Sequence, residues 1–294
     1  MRITVVGGGV VGLSCAHRLA EAGHDVTVVT AAKPGDTTSA VAGGVIFPPV
    51  SANSDRIDRW TATGLAEFRD SAAPGVRLLR GTFLTSRVAP LPSWAFSIPD
   101  LDHSPGRLTF TTAVVDTPVY LDWLAERVAA LGVRTEYRVV SRLDDVDADL
   151  VVNAAGLGGA RLAGDSTVIP VGGQVVHVAD PGLTEWIVDD SSPVLSHVIP
   201  HGRHVVCGGT QEPGRDDVVP DPGVAADIVR RCRELVPALA DASVLGTKVG
   251  LRPFRPEIRL DRDGRVIHCY GHGGAGITLA WGCADDVTDL ADGG

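Results

Sequence analysis

The sequence predicts an α/β fold, and three patterns carry the prediction. First, an apolar run at residues 3–6, a glycine-rich turn, a helical pattern over 13–21 and a second apolar run at 26–29 follow one another. A strand, turn, helix and strand within about thirty residues are typical of a dinucleotide-binding unit. Second, helices and strands alternate as far as residue 156. Third, short strands between proline and glycine turns begin at Thr167, which predicts an added antiparallel layer.

The glycines of the first turn each have a physical reason. Gly7 allows a tight turn, Gly9 lets the backbone approach a pyrophosphate, and Gly12 lets the helix pack closely on the strand. The helix N-terminus then offers free N–H groups and a positive dipole end to phosphate. The acidic residue that usually holds the ribose hydroxyls is absent, since Thr30 stands there. Phosphate recognition is therefore better specified than ribose recognition.

The composition is that of an ordinary globular protein. The chain has 294 residues, 44% of them apolar and 21% charged, which is enough for one large domain or two smaller ones. The net charge of −10 argues against a nucleic-acid partner. Its five cysteines form no C-x-x-C pair, and the N-terminal glycines and charges argue against a secretory signal. We expect a cytoplasmic protein without a membrane partner.

The remaining elements follow from periodicity and chain breakers. A clear helix is predicted with Thr117 as N-cap, Pro118 at its first position and Gly132 as its stop. The other segments predicted from the pattern are a helix at 57–69, a strand at 76–86, a long loop at 90–106, strands at 133–140, 148–156, 175–178, 197–199 and 205–209, a helix at 222–236, a strand at 266–270 and a final helix to about 290.

Two further segments suit close contact with a ligand. Residues 37–45 place hydroxyls before small residues and two glycines, and the strand at 148–156 ends in Ala154, Ala155 and Gly156. Small residues let backbone run close to a cofactor, and hydroxyls can donate to its oxygens. An ordinary polar loop before a buried strand, and ordinary strand ends in a sheet, would explain the same residues.

With these motifs in order, the sequence resembles the D-amino-acid oxidase family of FAD flavoproteins. The resemblance spans nearly the whole chain and is carried by TTSAVAGG, VVNAAG, GLRPFRPEIRL and HCYGHGGAGITLAWGCA. It implies a Rossmann-type FAD-binding domain assembled from residues 1–50, 115–165 and 248–294. An inserted substrate domain of mixed and antiparallel strands, residues 51–114 and 166–247, is also implied. Homodimers are a further family-level expectation.

The reaction implied by the resemblance is the oxidation of a D-amino acid by hydride transfer from its Cα to flavin. Water then converts the imino acid to a 2-oxo acid and ammonia, and O2 takes the electrons to give H2O2. Together with the first glycine turn, the resemblance implies an FAD-binding set made of Gly7, Gly8, Gly9, Val10, Val11, Gly12, Thr30, Thr37, Thr38, Ser39, Ala42, Gly43, Gly44, Val45, Val140, Ala154, Ala155, Gly156, Gly273, Gly274, Ala275, Gly276, Ile277 and Thr278.

Arg252 matches the family arginine that grips the substrate carboxylate, a role that suits a guanidinium fork. From the residues alone, Arg255 and Arg259 are equal candidates. Gly274 belongs to a glycine cluster that leads into the last helix, whose dipole would stabilise the reduced flavin. Gly274 therefore joins Arg252 and His197 as the expected catalytic set. A glycine-rich turn before a core helix is the alternative.

His197 marks the main departure from the family, which usually places tyrosines over the substrate near residues 193–200. A histidine there can donate to a carboxylate and titrate near neutral pH, or it is a structural residue at a strand start. The missing tyrosines keep open an oxidase for glycine, sarcosine or another amine. A nicotinamide-dependent dehydrogenase and a flavin-binding protein without activity are further alternatives.

We expect no metal site. The pairs His201 with His204 and His268 with His272 have suitable spacing, but neither has a convincing third ligand in the sequence.

Overall fold

The computed structural model describes residues 1–47, 54–86, 91 and 93–293. Within them, fourteen strands form one mixed sheet. The strands are β1 (Arg2–Val6), β2 (Asp25–Thr30), β3 (Val76–Thr85), β4 (Asp102–Ser104), β5 (Arg107–Val115), β6 (Arg134–Tyr137), β7 (Leu150–Asn153), β8 (Ile169–Ala179), β9 (Trp186–Asp190), β10 (Ser196–Pro200), β11 (His204–Gly208), β12 (Glu212–Pro213), β13 (Val244–Asp263) and β14 (Val266–His272). The helices are α1 (Val10–Glu21), α2 (Asp55–Arg69), α3 (Thr117–Ala130), α4 (Leu157–Leu162), α5 (Pro222–Leu235) and α6 (Gly276–Asp292). None of these helices is both long and apolar enough to span a bilayer.

One half of the sheet is parallel, in the order β14-β7-β1-β2-β6. Its central strands are buried because α1 and α6 pack together on one face, with α2 against α6 and α3 against α1. The carboxyl ends of β1, β7 and β14 meet at one edge of the sheet. Turns that follow these three strands therefore come together, and each of them carries glycine.

The other half is mainly antiparallel, with the order β9-β10-β11-β8-β13. The predicted antiparallel strands are present, but they form no layer of their own: they continue the parallel strands in a single sheet. The join is β13, a strand of twenty residues whose first half pairs with β8 and whose second half pairs with β14. A small second core of valines, Cys207, Ile228 and Cys232 packs between these strands and α5.

The start of α3 differs from the prediction by one residue. Asp116 is the N-cap, Thr117 is already helical, and Pro118 follows in the first turn. Thr117 therefore does not cap the helix. Its hydroxyl instead donates to the carbonyl of Ala42 at 3.4 Å, a tertiary contact that outweighs local capping preference.

The predicted loop at 90–106 contains more structure than its turn residues suggest. A 3₁₀ turn (Ser93–Ser97) and β4 lie within it, and residues 90 and 92 fall outside the described residues. Five further helices and strands, α4, β5, β9, β12 and β13, were not predicted. The cause is non-local pairing: β9, for example, ends in two aspartates and is held between β3 and β10.

Candidate functional site

A cleft of about 1840 Å³ runs from the carboxyl ends of β1, β7 and β14 to the antiparallel half of the sheet. Pockets for drug-sized ligands measure about 300–1,000 Å³, so this cleft has room for a dinucleotide-sized group and a small molecule together. The residues of the predicted FAD-binding set that line it are Gly7, Gly8, Gly9, Val10, Val11, Thr30, Thr37, Thr38, Ser39, Ala42, Gly43, Gly44, Val45, Val140, Ala154, Ala155, Gly156, Gly273, Gly274, Ala275, Gly276, Ile277 and Thr278.

Gly12 is the one member of that set that does not line the cleft. A methyl group at Gly12 would overlap the carbonyl of Gly7, so Gly12 packs α1 against the end of β1, as the glycine pattern predicts. Gly7 has φ +126°, and a methyl group there would overlap the backbone of Ala154. Close packing beneath the turn therefore requires glycine at both positions.

Two helix N-termini border the cleft. Gly9 is the N-cap of α1, and Ala275 is the N-cap of α6, so neither N-cap residue supplies a side-chain cap. The Val10 N–H donates to Ser39 Oγ at 3.1 Å, which brings the hydroxyl segment against the first turn of α1. Backbone N–H groups with a hydroxyl beside them suit a pyrophosphate, and the second N-terminus suits an anionic ring. The residues present therefore fit FAD.

Arg252 carries a charge that no described carboxylate neutralises, and its side chain is partly buried within the cleft. Its Nη1 donates to the carbonyl oxygens of Thr210 at 3.0 Å and Gly172 at 3.5 Å. Burial lowers the pKa of Arg252 below its ordinary value. A buried cation with only carbonyl partners favours binding of an anion.

The two competing arginines are already paired. Arg255 Nε lies 3.0 Å from Asp165 Oδ2, and Arg259 Nε lies 3.2 Å from Asp261 Oδ1. Of the three arginines that the sequence left equal, the geometry thus singles out Arg252. Its guanidinium lies where a methyl group at Gly173 would be, and a methyl group at Gly274 would lie 3.5 Å from its Cδ. The predicted catalytic residues Arg252 and Gly274 are therefore neighbours.

His197 is buried in β10 and also lines the cleft. Its ring covers Gly208 on the neighbouring strand, at a place that any side chain at 208 would occupy. Burial, then the charges of Arg252 and Arg231, lower the pKa of His197 to about 3. The expectation of titration near neutral pH was therefore wrong, because desolvation keeps this imidazole neutral. Its Nε2 has no hydrogen-bond partner among the described residues, so a ligand can satisfy it.

The apolar wall beside His197 could not be predicted from the sequence. Phe83, Val188 and His197 are direct neighbours across three strands, and all three line the cleft, as does Ile199. Paired residues of neighbouring strands point to the same face of a sheet. The alternation of each strand indicates which residues share a face, but the register that joins the three strands is set by tertiary pairing.

Arg231 of α5 was not predicted either. Its Nη1 donates to Ser196 Oγ at 2.6 Å and to the Leu195 carbonyl at 3.2 Å, and its Nη2 lies 3.5 Å from the Gly209 carbonyl. These contacts join the start of β10 to the segment that follows β11, on either side of the His197 ring. Arg231 therefore ties together the chain segments next to His197 and Gly208. From its position in the helical pattern alone, Arg231 would be predicted to be an exposed surface residue.

The four histidines considered as metal ligands have other contacts. His201 Nε2 donates to the Gly43 carbonyl at 3.1 Å, and its ring stacks on His204 at 5.1 Å. His268 Nδ1 lies 3.2 Å from Asn153 Nδ2, and His272 Nε2 lies 3.4 Å from Cys283 Sγ. Neither predicted pair forms a ligand set by itself, and the absence of a metal stays a prediction.

The fold and the cleft together define a protein that holds a dinucleotide cofactor next to a small anionic molecule. The model of the FAD-dependent oxidoreductase family matches residues 2–290, and the chain belongs to this family. It is 40% identical to the D-amino-acid oxidase of Rubrobacter xylanophilus, over 99% of this chain and 95% of that protein. It is 36% identical to human D-aspartate oxidase, over 98% of this chain and 94% of that protein. These findings confirm the resemblance and FAD as the cofactor.

Solved structures confirm the fold class. Glycine oxidase from Bacillus cereus superposes with a TM-score of 0.81 at 22% identity, covering 99% of this chain and 95% of that one. L-proline dehydrogenase from P. horikoshii gives a TM-score of 0.79 at 19% identity, covering 99% and 92%. At such identities the likeness concerns the fold alone.

We expect Gly173→Ala to weaken substrate turnover while FAD stays bound. The added methyl group would displace the Arg252 guanidinium, and misplacement of a binding group by about 1 Å can cost 10²-fold. A loss of at least about tenfold in kcat/KM is expected, measured beside the flavin absorbance of each preparation. Gly246→Ala is the matched control, because nothing lies within 4 Å of a methyl group there. Equal kcat/KM for Gly173→Ala and the control would contradict the assignment.

A second prediction concerns the neutral state of His197. Because its folded pKa of about 3 lies below the unfolded value of about 6.5, the unfolded chain binds the extra proton between these pH values. The free energy of unfolding therefore falls as the pH is lowered through this window. In His197→Leu the fall should be smaller by up to ~1.4 kcal/mol per pH unit. Urea unfolding of the wild type and His197→Leu between roughly pH 7 and pH 5 gives the unfolding free energy at each pH. If the unfolding free energy changes equally with pH in both proteins, His197 is not held neutral by the fold.

Proposed function

We propose that the protein is an FAD-dependent oxidase of D-amino acids. In this reaction a D-amino acid, O2 and water yield a 2-oxo acid, ammonia and H2O2. The observation that carries the proposal is Arg252, a partly buried cation in the cleft without a described carboxylate partner. The 40% identity to D-amino-acid oxidases of Rubrobacter xylanophilus and Streptomyces coelicolor, over nearly the whole chain, supports it.

FAD, when bound, supplies the hydride acceptor. The chain would hold its phosphates at the N-terminus of α1 with Ser39, and its ring beside the N-terminus of α6. We assign these roles to the cleft-lining members of the FAD-binding set given above. In the same proposal residues 1–50, 115–165 and 248–294 form the cofactor part, and residues 51–114 and 166–247 form the substrate part.

Substrate binding falls to Arg252 and His197 in this proposal. The Arg252 fork would grip the carboxylate while Thr210 and Gly172 hold it in place, and Gly173 provides the space. Neutral His197 would form a hydrogen bond with the substrate through Nε2, which has no partner among the described residues. The wall of Phe83, Val188 and Ile199 would exclude water next to the Cα. The reaction then depends on positioning and needs no catalytic acid or base.

Oxidation of glycine, sarcosine or another amine is the second candidate. The glycine oxidase of Bacillus cereus has a closely similar fold, and this chain lacks the tyrosines expected over the substrate. The higher identity to D-amino-acid oxidases favours the first candidate. We also propose a cytoplasmic location, since all five cysteines are free. A homodimer remains part of the proposal.

The first experiment is the visible spectrum of the purified holoenzyme under anaerobic conditions. Addition of D-amino acids should bleach the flavin, because the substrate reduces it and no oxygen can reoxidise it. L-amino acids serve as the control and should leave the spectrum unchanged. Bleaching by glycine or sarcosine alone would select the second candidate, and a flavin that none of these compounds bleaches would reject both.

Arg252→Leu should lose substrate binding by roughly 2–5 kcal/mol, because the substrate carboxylate would be left without its cation. The flavin spectrum should persist, since Arg252 does not border the N-terminus of α1. Titration of anaerobic flavin reduction with a D-amino acid gives the apparent affinity. Arg259→Leu is the matched control, as its charge is paired with Asp261. Unchanged affinity in Arg252→Leu would overturn the role of Arg252.

His197→Ala should change the order of preferred substrates while FAD stays bound. The shorter side chain removes a neutral ring from the wall that includes Val188 and opens space above Gly208. Rates with a panel of D-amino acids of increasing size, each divided by the wild-type rate, measure the change. A constant ratio across the panel would show that His197 is a structural residue only.

A further inference from the structure

Three cysteines and a histidine form a buried cluster between α1, β14 and α6. Cys15 lies on α1, Cys269 on β14 and Cys283 on α6, where the two helices pack on the sheet. The Cys15 and Cys283 thiols are the groups that most lower the pKa of the Cys269 thiol. The ligand atoms of Cys269, His272 and Cys283 all lie within 4.8 Å of one another. The fold thus places the Cys269 and Cys283 sulfur atoms close together.

Cys269 differs from the other cysteines in its access to the cleft. It is among the cleft-lining residues, whereas Cys15 and Cys283 pack behind it. A second thiol pair, Cys207 and Cys232, lies in the core under α5, where the Cys232 thiol donates to the His197 carbonyl at 3.5 Å. That pair does not line the cleft. A small oxidant formed in the cleft would therefore reach Cys269 first.

The neighbouring thiols also act on the ionisation of Cys269. The Cys15 and Cys283 thiols lower the pKa of Cys269. Because the thiolate is the nucleophile in thiol oxidation, this direction favours oxidation of the sulfur whose residue lines the cleft. His272 Nε2 lies 3.4 Å from Cys283 Sγ, within reach of the proton of that thiol.

We propose that Cys269 is an oxidation site for the H2O2 that the enzyme releases, and that Cys283 closes it to a disulfide. The proposal rests on the proposed oxidase activity, which supplies the peroxide. The Cys269 thiolate attacks one peroxide oxygen, the O–O bond breaks, and a proton completes sulfenic acid and water. The Cys283 sulfur then attacks the Cys269 sulfur, His272 takes the thiol proton, the S–O bond breaks, and water leaves. Two thiols and one H2O2 thus give one disulfide and two waters.

The location gives the disulfide a consequence for activity. Cys269 precedes and Cys283 follows the turn at residues 271–275, which lies against Arg252 and contains the N-cap of α6. A covalent bond between β14 and α6 would move this turn, because two sulfur atoms that lie within 4.8 Å of each other must approach to about 2.05 Å. Turnover falls as peroxide accumulates, so the enzyme limits its own product.

The test begins with the holoenzyme and added H2O2, without substrate, so that it does not depend on oxidase activity. Thiol labelling and peptide mass spectrometry should find a Cys269–Cys283 linked peptide, lighter than the two reduced peptides by two hydrogens. Cys207 and Cys232 should remain labelled. In Cys283→Ala the sulfenic acid should persist at Cys269 and react with a 1,3-diketone probe. Activity of Cys269→Ala should survive peroxide at least about tenfold longer than that of Cys207→Ala, the matched control.

A second arm uses D-alanine in air, with and without catalase. The same linked peptide should form during turnover, and catalase should suppress it. Linkage with added peroxide but not with D-alanine would reject the oxidase proposal and leave the thiol chemistry standing. Oxidation of Cys207 and Cys232 while Cys269 stays reduced would overturn the inference. The inference would also be overturned if the purified protein held one equivalent of tightly bound metal that kept Cys269 and Cys283 from reacting.

Discussion

The pairing of β13 with β8 is the constraint on which the site depends. It joins the parallel and antiparallel halves into one sheet, and it brings Arg252 of one strand over Gly173 of the other. The guanidinium gains two carbonyl contacts there but no described carboxylate. A buried charge without a counter-ion costs free energy, so the fold must hold Arg252 in place by the regular ladder on either side. An anionic ligand removes that cost, and the uncompensated charge thereby selects for one.

The cofactor side of the cleft depends on close packing rather than on charge. Gly7 and Gly12 allow α1 to start directly at the end of β1, and the backbone of Ala154 closes the space beneath. The same edge receives the N-terminus of α6, so two helix dipoles converge on one cleft. Since Thr30 offers no carboxylate, binding at this edge relies on N–H groups and the Ser39 hydroxyl.

Local pattern was enough to predict the first βαβ unit and most helices, because these depend on period, breakers and glycine spacing. The FAD-binding set came from the family resemblance, and all of its members but Gly12 line the cleft. Local pattern failed where tertiary contacts decide. Thr117 donates to Ala42 instead of capping α3, and β9 exists only because β3 and β10 hold it. From the residues alone, the choice among three arginines needed the ion pairs of the other two. Arg255 pairs with Asp165, ninety residues earlier in the chain, and Arg259 pairs with Asp261, and neither pairing can be read from the sequence pattern. The thiol cluster likewise joins Cys15 to residues more than two hundred positions away.

The electrostatics of His197 show why a neutral ring fits this site. Desolvation is the main cause of its lowered pKa, and the positive charges of Arg252 and Arg231 add to it. A carboxylate bound to Arg252 would cancel part of that repulsion and raise the pKa of His197, but the ring would remain desolvated. The imidazole therefore stays neutral both before and after binding. In the proposed reaction Arg252 would supply the charge that holds the substrate carboxylate, and His197 would supply shape and one hydrogen bond without competing for it.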